Sequence, residues 1–451
     1  MTKAVFSADE LPRRIGFWSA SAVMVGIIIG SGIFRTPGEI AKHLGQPWLI
    51  LGLWLLGGLI SLAGALTYAE LAVRFPRSGG VYVFLREGYG PCVAFVFGWT
   101  YMLITKPFAA AGIAVIFGEN LIVASGVALD EGSRRVVTNL VTSLILTVLT
   151  VVNTIGVGPG TGLAKALTAL KLAALIAIIS VPFAAGAVST ANFRSEPVSE
   201  PLWKALVAVM SMILWTYDGW SDVGSLAGEV TEPQRRLPSI YSVGTIAVTV
   251  LYAGVNVAYF AVLPLGDMRG VPSVAALVLE RAVGPAGAIA ITWIVIVSTL
   301  GSTHGSILTG ARITFAQARD GLLFRVLGRV SSRFQTPAVA LWAQLVLSIL
   351  ALWFGGDFGQ LAETFTFTMW IFYGLAAFTI FRFRVPGAVD PGAYRCPGYP
   401  VVPLAFIGTS VLMTILSIAD DPWRTGLWLG VLAAGVPVYC GWHWWARRDE
   451  S

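Results

Sequence analysis

The stretch that decides the fold is Val25-Gly-Ile-Ile-Ile-Gly-Ser-Gly-Ile-Phe34, which lies inside a long apolar segment. Glycine destabilises a helix interior by about 1 kcal/mol relative to alanine. Because Gly30 and Gly32 enclose a serine at the middle of the segment, we expect an unwound stretch there. Taken alone, the Gly26-x-x-x-Gly30 spacing also fits a motif for close helix packing. A second observation is therefore needed to choose between the two interpretations.

The chain around this stretch has the composition of a membrane protein. Of its 451 residues, 56% are hydrophobic and 12% are charged, whereas a soluble domain is about 45–50% apolar and about 25% charged. So few charges cannot cover a soluble surface, which favours an integral protein of the lipid bilayer. The net charge of +6 arises from basic residues whose distribution along the chain fits a membrane topology, as described below, so we expect no nucleic-acid partner.

Twelve apolar segments approach or exceed the roughly 20 residues that cross a bilayer. Such segments must be helical, because lipid offers no partners to backbone N–H and C=O groups. The predicted fold class is therefore an all-α membrane protein of about 12 transmembrane helices. The segments lie near residues 15–42, 47–73, 90–118, 136–155, 163–184, 203–230, 239–263, 286–311, 338–355, 358–381, 401–419 and 423–444.

The second observation is a matching interruption in the sixth segment, where residues 215–220 read Trp-Thr-Tyr-Asp-Gly-Trp. An aspartate at the centre of a bilayer is unfavourable by about 2.5–3.5 kcal/mol, so Asp218 needs a partner or water. Alone, it also fits a structural acid. The first and sixth segments occupy equivalent positions in a five-plus-five inverted repeat. Glycine-interrupted helices at such positions indicate the binding site of a transporter.

Two unwound helices free the backbone groups that an α-amino acid needs. The N–H groups and the positive dipole end of a half-helix bind a carboxylate, and freed carbonyl groups bind an ammonium group. A small-molecule amino acid is therefore the predicted ligand. We expect no catalytic residues, metal or cofactor, since the chain contains no G-x-x-x-x-G-K-[ST], H-E-x-x-H or G-x-S-x-G motif.

Four stretches, in order along the chain, carry a resemblance to a known family. They read GIIIGSGIF (26–34), LTYAELAVRFPRSGGVYVFLREGYG (66–90), WTYDGWSDVGSLAGEVTEPQRRLP (215–238) and GSTHGSILTGARITFAQARDGLL (301–323). With these motifs the chain resembles the amino acid–polyamine–organocation superfamily, and within it the L-type and b(0,+)-type amino-acid transporters. The resemblance covers nearly the whole chain.

The resemblance implies a LeuT-type fold with two inverted five-helix repeats, two further C-terminal helices, and breaks in helices 1 and 6. The implied division is a cytoplasmic tail (1–14), a first repeat (15–184), a second repeat (203–381), helices 11 and 12 (382–445) and a second cytoplasmic tail (446–451).

The resemblance also implies a set of substrate contacts. Ser31 and Gly32 would meet the carboxylate, and the carbonyl of Ile28 would meet the amine. Trp215 would be an aromatic gate, and Asp218 would lie near the amine. Many L-type members have glycine in place of Asp218 while b(0,+)-type members have the acid, so the charge of the substrate stays open. The predicted binding residues are Ile28, Gly30, Ser31, Gly32, Ile33, Trp215, Tyr217, Asp218 and Gly219.

Lys171 lies about 12 Å deep in the fifth segment, counted by the rise per residue. Its long side chain fits either snorkelling to the interface or a place at an ion site. Sodium-coupled relatives of the implied fold hold a cation between the first and eighth helices, whereas L-type and proton-coupled relatives carry a fifth-helix lysine at this position. We therefore predict that Lys171, with Gly26 and Ser302, replaces the coupling ion.

The distribution of lysine and arginine predicts that both termini are cytoplasmic. With that orientation 19 of the 30 basic residues face the cytoplasm and 8 face outward, as the positive-inside rule requires. We expect a multi-pass protein of the plasma or inner membrane. Cys92, Cys396 and Cys440 then lie at or near the cytoplasmic side, where disulfides are rare. The loop after the third segment has no cysteine, so the disulfide-linked heavy chain of animal relatives is not expected.

Together these observations predict a sodium-independent transporter of mainly neutral L-amino acids. It would work by alternating access, as an exchanger or as a proton-coupled symporter. Two alternatives stay open: a transporter of cationic amino acids or polyamines, and a membrane sensor that binds amino acids without transporting them. An enzyme is not expected.

Overall fold

The protein is a bundle of long helices. The computed structural model describes residues 11–198, 201–271, 273–354, 358–384, 393–420 and 422–448. The α-helices in these ranges are α1 (Phe17–Ile28), α2 (Gly32–His43), α3 (Pro47–Arg74), α4 (Val81–Tyr89), α5 (Pro91–Thr100), α6 (Lys106–Ser125), α7 (Glu131–Ile155), α8 (Val157–Ala184), α9 (Leu202–Thr216), α10 (Pro233–Val262), α11 (Leu265–Met268), α12 (Val274–Val283), α13 (Pro285–Arg319), α14 (Ala338–Phe354), α15 (Phe358–Phe383), α16 (Val401–Asp420) and α17 (Pro422–Arg448).

Nine helical segments of the described ranges are long and apolar enough to cross a membrane. Two of them join neighbouring helices, α1 with α2 and α5 with α6. Two shorter apolar helices are α14 and the Thr368–Phe383 part of α15. Large apolar side chains such as Leu144 and Val250 are exposed on the outside of the bundle, where lipid tails rather than water suit them. The total of twelve crossings stays a prediction.

Several helices extend beyond the predicted apolar segments. α10 begins at Pro233 rather than near 239, and α13 continues to Arg319 rather than ending near 311. Proline suits the first turn of a helix, because its missing N–H would have no partner there. Hydropathy detects the part of a helix that lies in lipid, and it misses polar turns that continue beyond the bilayer.

Two of the predicted apolar segments, the first and the sixth, are interrupted at the predicted places. The first break comprises residues 29–31, between α1 and α2, and the second comprises residues 217–219, between α9 and a 3-10 helix at Trp220–Leu226. Gly219 has φ +112°, which favours glycine. A Cβ atom on Gly219 would lie 2.6 Å from Cγ2 of Ile27. The two breaks therefore approach each other closely because residue 219 has no side chain.

The third crossing contains an irregularity that the sequence analysis did not predict. A π-helical segment, Tyr101–Thr105, separates α5 from α6, where a continuous helix over 90–118 was expected. Pro107, the second residue of α6, cannot donate a backbone hydrogen bond. Short π-helical segments shift the register of a helix and occur frequently at functional sites. Here the segment comes immediately before Lys106, the first residue of α6.

A buried ion pair connects α13, the segment that contains Glu229 and the N-terminal residues near Ile15. Arg312 on α13 binds the carboxylate of Glu229 through two nitrogens, and their side chains are 1% and 0% exposed. The backbone N–H groups of Arg14 and Ile15 both donate to the carbonyl of Glu229 at 2.9 Å. Ile15 also forms a bridge with Val230. We call this group the Glu229 cluster.

Breaking the Glu229 cluster should destabilise the fold. Glu229→Ala leaves the guanidinium of Arg312 buried without its counter-charge, and we expect a loss of about 3–5 kcal/mol in the free energy of unfolding. The matched control is Glu39→Ala, which removes a partner from the exposed Lys42–Glu39 pair and should change stability by less than about 1 kcal/mol. Thermal unfolding in detergent measures both. Equal melting temperatures for the two variants would contradict the structural role.

Candidate substrate-binding site

A cavity lies between the two breaks, near the middle of the bundle. Four segments of the chain form its wall, which contains both polar and apolar side chains. The lining residues are Ile27, Ile28, Gly30, Ser31 and Gly32 at the first break, Lys106, Phe108, Ala109, Gly112 and Ile113 on α6, Trp215, Thr216, Asp218 and Asp222 at the second break, and Ser302 and Ser306 on α13.

Most of the predicted binding residues line this cavity, and three do not. The six that do are Ile28, Gly30, Ser31, Gly32, Trp215 and Asp218. Ile33 is buried, and its carbonyl accepts a hydrogen bond from Tyr259 at 3.3 Å. The hydroxyl of Tyr217 donates to the carbonyl of Trp54 at 3.1 Å. Gly219 supports the contact between the breaks instead of facing the cavity. The binding roles of all nine residues stay predictions.

α2 begins at the cavity. Ser31 precedes α2 and makes no side-chain cap for it. The first N–H groups of a helix have no partner within the helix, and they carry the positive end of its dipole. Because Ser31 and Gly32 both line the cavity, the geometry suits a bound carboxylate.

The carbonyl of Ile28, which was predicted to meet the substrate amine, is already engaged. It accepts hydrogen bonds from the hydroxyl of Tyr252 at 2.8 Å and from the N–H of Gly30 at 2.8 Å. The same hydroxyl lies 3.4 Å from the carbonyl of Thr216, so Tyr252 connects the two breaks. A carbonyl oxygen has two lone pairs. An ammonium group can therefore bind at Ile28 only if one of these bonds opens.

Lys171 holds the first break from the side of α8. Its side chain is 1% exposed, and Nζ donates to the carbonyls of Gly26 and Ile29 at 2.6 Å each and to Oγ of Ser302 at 2.8 Å. An ammonium group has three donors, and all three have an acceptor here. Lys171 therefore does not snorkel to the interface. The structure brings Gly26, Lys171 and Ser302 into contact, while their part in coupling stays a prediction.

The cavity also contains an ion pair that the sequence analysis missed. Nζ of Lys106 donates to Oδ1 and Oδ2 of Asp222 at 3.0 and 2.9 Å, and the two side chains are 5% and 13% exposed. The hydroxyl of Tyr101 also contacts Oδ1, at 3.4 Å. Ionisable residues inside membrane helices usually pair with one another. Opposite charges in the third and sixth segments were the signal that could have indicated this pair.

Within the described ranges, the carboxylate of Asp218 pairs with a neutral hydroxyl. Its Oδ1 accepts a hydrogen bond from the hydroxyl of Tyr373 at 2.8 Å, and that hydroxyl accepts one from Ser221 at 2.9 Å. The cavity wall thus contains two carboxylates, those of Asp218 and Asp222, and one ammonium group. Trp215 is half-buried at the same wall.

Comparison with known proteins identifies the family. The sequence profile of the family described as "Amino acid permease" matches residues 15–428. The chain belongs to this family. Family membership confirms the predicted superfamily and the predicted class, a multi-pass membrane transporter of amino acids rather than an enzyme.

Several relatives match the permease over almost its whole length. A serine/threonine exchanger from Bacillus subtilis is 31% identical over 440 residues, which are 96% of this chain and 97% of the relative. The human cystine/glutamate transporter is 29% identical and covers 98% of this chain and 87% of its own. The human b(0,+)-type amino acid transporter 1 is also 29% identical, covering 92% and 84%.

A solved structure supports the fold independently of close sequence similarity. A nucleobase-cation-symport-1 family transporter, in a closed conformation with bromovinylhydantoin bound, matches with a TM-score of 0.59. The match covers 99% of the permease and 96% of the other chain, at 14% sequence identity. At this identity the likeness shows the fold alone, and it confirms the predicted LeuT-like fold class.

The first break can be tested with a methyl group at Gly30. A Cβ atom there would lie 3.5 Å from Oγ of Ser302, so the protein accommodates it, but it occupies cavity space beside the start of α2. We expect Gly30→Ala to weaken amino-acid binding about tenfold, equivalent to about 1.4 kcal/mol. Gly32 is less suitable, because a Cβ atom there would lie 2.8 Å from Thr216.

The matched control is Gly52→Ala on the exposed face of α3, where an added Cβ atom meets nothing within 4 Å. Binding curves of the purified variants with a panel of amino acids provide the measurement. Unchanged affinity in Gly30→Ala, with a normal melting temperature, would place the substrate elsewhere.

Proposed function

We propose that the permease carries mainly neutral L-amino acids across the membrane without sodium, by alternating access, as an exchanger or as a proton-coupled symporter. The observation that carries this proposal is the ammonium group of Lys171. It binds the freed carbonyls of the first break together with a hydroxyl of α13. A positive charge therefore already occupies the position between α1 and α13.

This position explains the proposed independence from sodium. An ammonium group is a compact charge with three donors, and it satisfies the oxygen atoms that a sodium ion would need. A sodium ion at the same point would compete for the carbonyls of Gly26 and Ile29 and would be repelled by Lys171. A transport cycle in which Lys171 releases its proton gives proton coupling. A cycle in which Lys171 stays charged gives exchange.

The two breaks supply complementary groups for a zwitterion. The amide end of α2 suits the substrate carboxylate, and the carboxylate of Asp218 suits a nearby amine. The names of the relatives support amino acids as the class of substrate. One relative exchanges serine and threonine, and another is a cystine/glutamate transporter. A third, which is 30% identical over 98% of this chain, is the large neutral amino acids transporter small subunit 2 of rabbit. They support no single choice among the side chains.

Alternating access follows from the arrangement of the breaks. We assign residues 15–184 and 203–381 to two inverted repeats, each with one broken crossing that faces the shared cavity. The half-buried Trp215 would close over the substrate on one side. The Glu229 cluster would close the opposite side, which we take as cytoplasmic together with both termini. The setting would be the plasma or inner membrane, without a disulfide-linked partner chain.

Replacing Lys171 tests the coupling proposal. In proteoliposomes we expect wild-type uptake to be unchanged when sodium is replaced by a large organic cation. Lys171→Ala should lower transport more than tenfold, because the carbonyls of Gly26 and Ile29 then keep only serine hydroxyls of α13 as donors among the described residues and lose the positive charge beside them. Lys165→Ala is the matched control, since Lys165 is an exposed lysine on the same helix.

The proton dependence separates the two forms of the proposal. A lysine that releases its proton requires uptake driven by an inward proton gradient. A lysine that stays charged requires exchange that is independent of pH. Strict sodium dependence of the wild type, or full activity of Lys171→Ala, would overturn both.

A second candidate substrate class is supported by Asp218. Two carboxylates and one ammonium group at the cavity wall leave an excess of negative charge, which favours a cationic amino acid or a polyamine at modest effective dielectric. If this charge selects the substrate, Asp218→Asn should lower the transport of arginine relative to leucine about tenfold. The control is Asp267→Asn in an exposed ion pair. An unchanged ratio in competition assays would leave Asp218 with a structural role only.

A further inference from the structure

Ser306 is a buried hydroxyl without a hydrogen-bond partner among the described residues. Its side chain is 2% exposed, its Oγ is unsatisfied, and it lines the cavity. More than 90% of buried polar groups in proteins have a partner. A hydroxyl that has no partner among the described residues, but forms part of a binding cavity, indicates that the ligand provides one.

The Lys106–Asp222 pair offers further hydrogen-bonding capacity at the same wall. Lys106 has three donors, and in the described part of the chain two of them bind the two oxygens of Asp222. Oδ1 of Asp222 also contacts Tyr101, whereas Oδ2 has Lys106 as its one partner there. The pair therefore retains one donor and one acceptor position, and its charges cancel.

The register of α13 places Ser306 one turn from the stem of Lys106. Ser302, Ser306 and Gly310 follow at intervals of four residues and share one face of the helix. Ser302 contacts Lys171 at the first break. A Cβ atom on Gly310 would lie 2.5 Å from Cγ of Lys106, so the stem of Lys106 packs against α13 one turn beyond Ser306. The polar wall thus continues from the proposed site of the substrate backbone to the ion pair.

We propose that Lys106, Asp222 and Ser306 form a side-chain subsite that selects amino acids with uncharged polar side chains, those ending in a hydroxyl or a carboxamide. This inference rests on the proposed function and names the class of substrate for the same cavity. Hydroxyl and carboxamide groups each donate and accept, so they can bind Ser306 and the free positions of the pair together.

The same three residues reject other side chains for distinct reasons. An acidic side chain competes with Asp222 for Lys106, and a displaced Asp222 remains desolvated without its counter-charge. A basic side chain competes with Lys106 for Asp222, and a displaced Lys106 remains desolvated without its counter-charge. An apolar side chain leaves the hydroxyl of Ser306 without a partner, and sites built to hydrogen-bond a substrate reject analogues that lack the bonding group.

Isosteric pairs of amino acids provide the test in proteoliposomes. Threonine and valine differ by a hydroxyl against a methyl group, and asparagine and aspartate differ by a carboxamide against a carboxylate. We expect the wild type to prefer threonine over valine and asparagine over aspartate, each by at least about tenfold in competition for uptake. Ratios near one for the wild type would overturn the subsite.

Two variants separate the contribution of Ser306 from that of the Lys106–Asp222 pair. Ser306→Ala should lower the threonine-to-valine ratio about fivefold, the typical effect of one hydrogen bond. The control is Ser348→Ala: its hydroxyl is equally buried and unsatisfied but lies outside the cavity lining, so the ratio should not change. Asp222→Asn should lower the asparagine-to-aspartate ratio about tenfold, because the unpaired ammonium group of Lys106 then favours a carboxylate.

The double variant Lys106→Gln/Asp222→Asn covers the case in which Asp222→Asn alone does not fold. It keeps donors and acceptors without charge, so it should reject aspartate again. If the variants transport amino acids with both ratios unchanged, the subsite is overturned while the proposed function stands. If the wild type takes up no amino acid of a broad panel, the proposed function itself fails, and the subsite fails with it.

Discussion

Three hydrogen bonds from Lys171 allow the first crossing to remain unwound inside a membrane. Backbone carbonyls that lose their helical partners find no water in the hydrocarbon region, and each unsatisfied group is unfavourable by several kcal/mol. Lys171 donates to two of these carbonyls from α8, and Ser298 and Ser302 donate from α13. The unwound backbone is stable because neighbouring helices supply donors where lipid cannot.

The binding cavity is a consequence of that stable break. Since the helix is interrupted, a new amide end begins at Gly32, facing the second break. The bare backbone of Gly219 lets the second break approach Ile27. The hydroxyl of Tyr252 donates to the carbonyl of Ile28 and lies 3.4 Å from the carbonyl of Thr216. The start of α2 and the carboxylate of Asp218 thereby line one space, and their roles in binding a substrate stay predictions.

Charges of the same kind have different roles according to where the packing places them. Arg312 and Glu229 pair with almost no exposure and connect the N-terminal residues to α13. Lys106 and Asp222 form a similar pair, but they line the cavity and can exchange partners with a ligand. A buried ion pair sealed by protein stabilises an arrangement, whereas one at a cavity wall can also discriminate among ligands.

The sequence by itself determined the membrane class, the helical fold and the two breaks, because these depend on the length of apolar segments and on glycine or charge at their centres. It also singled out Lys171 as a charge inside an apolar segment, while the role of that charge in coupling stays a prediction. The tertiary structure decided which side chains share a space. Lys106 and Asp222 are 116 residues apart, and Tyr252 and Ile28 are 224 apart, so no local pattern connects them. It also directed Tyr217 and Ile33 away from the cavity although their neighbours line it. The face that a helical residue presents is set by packing against distant helices, which local sequence does not encode.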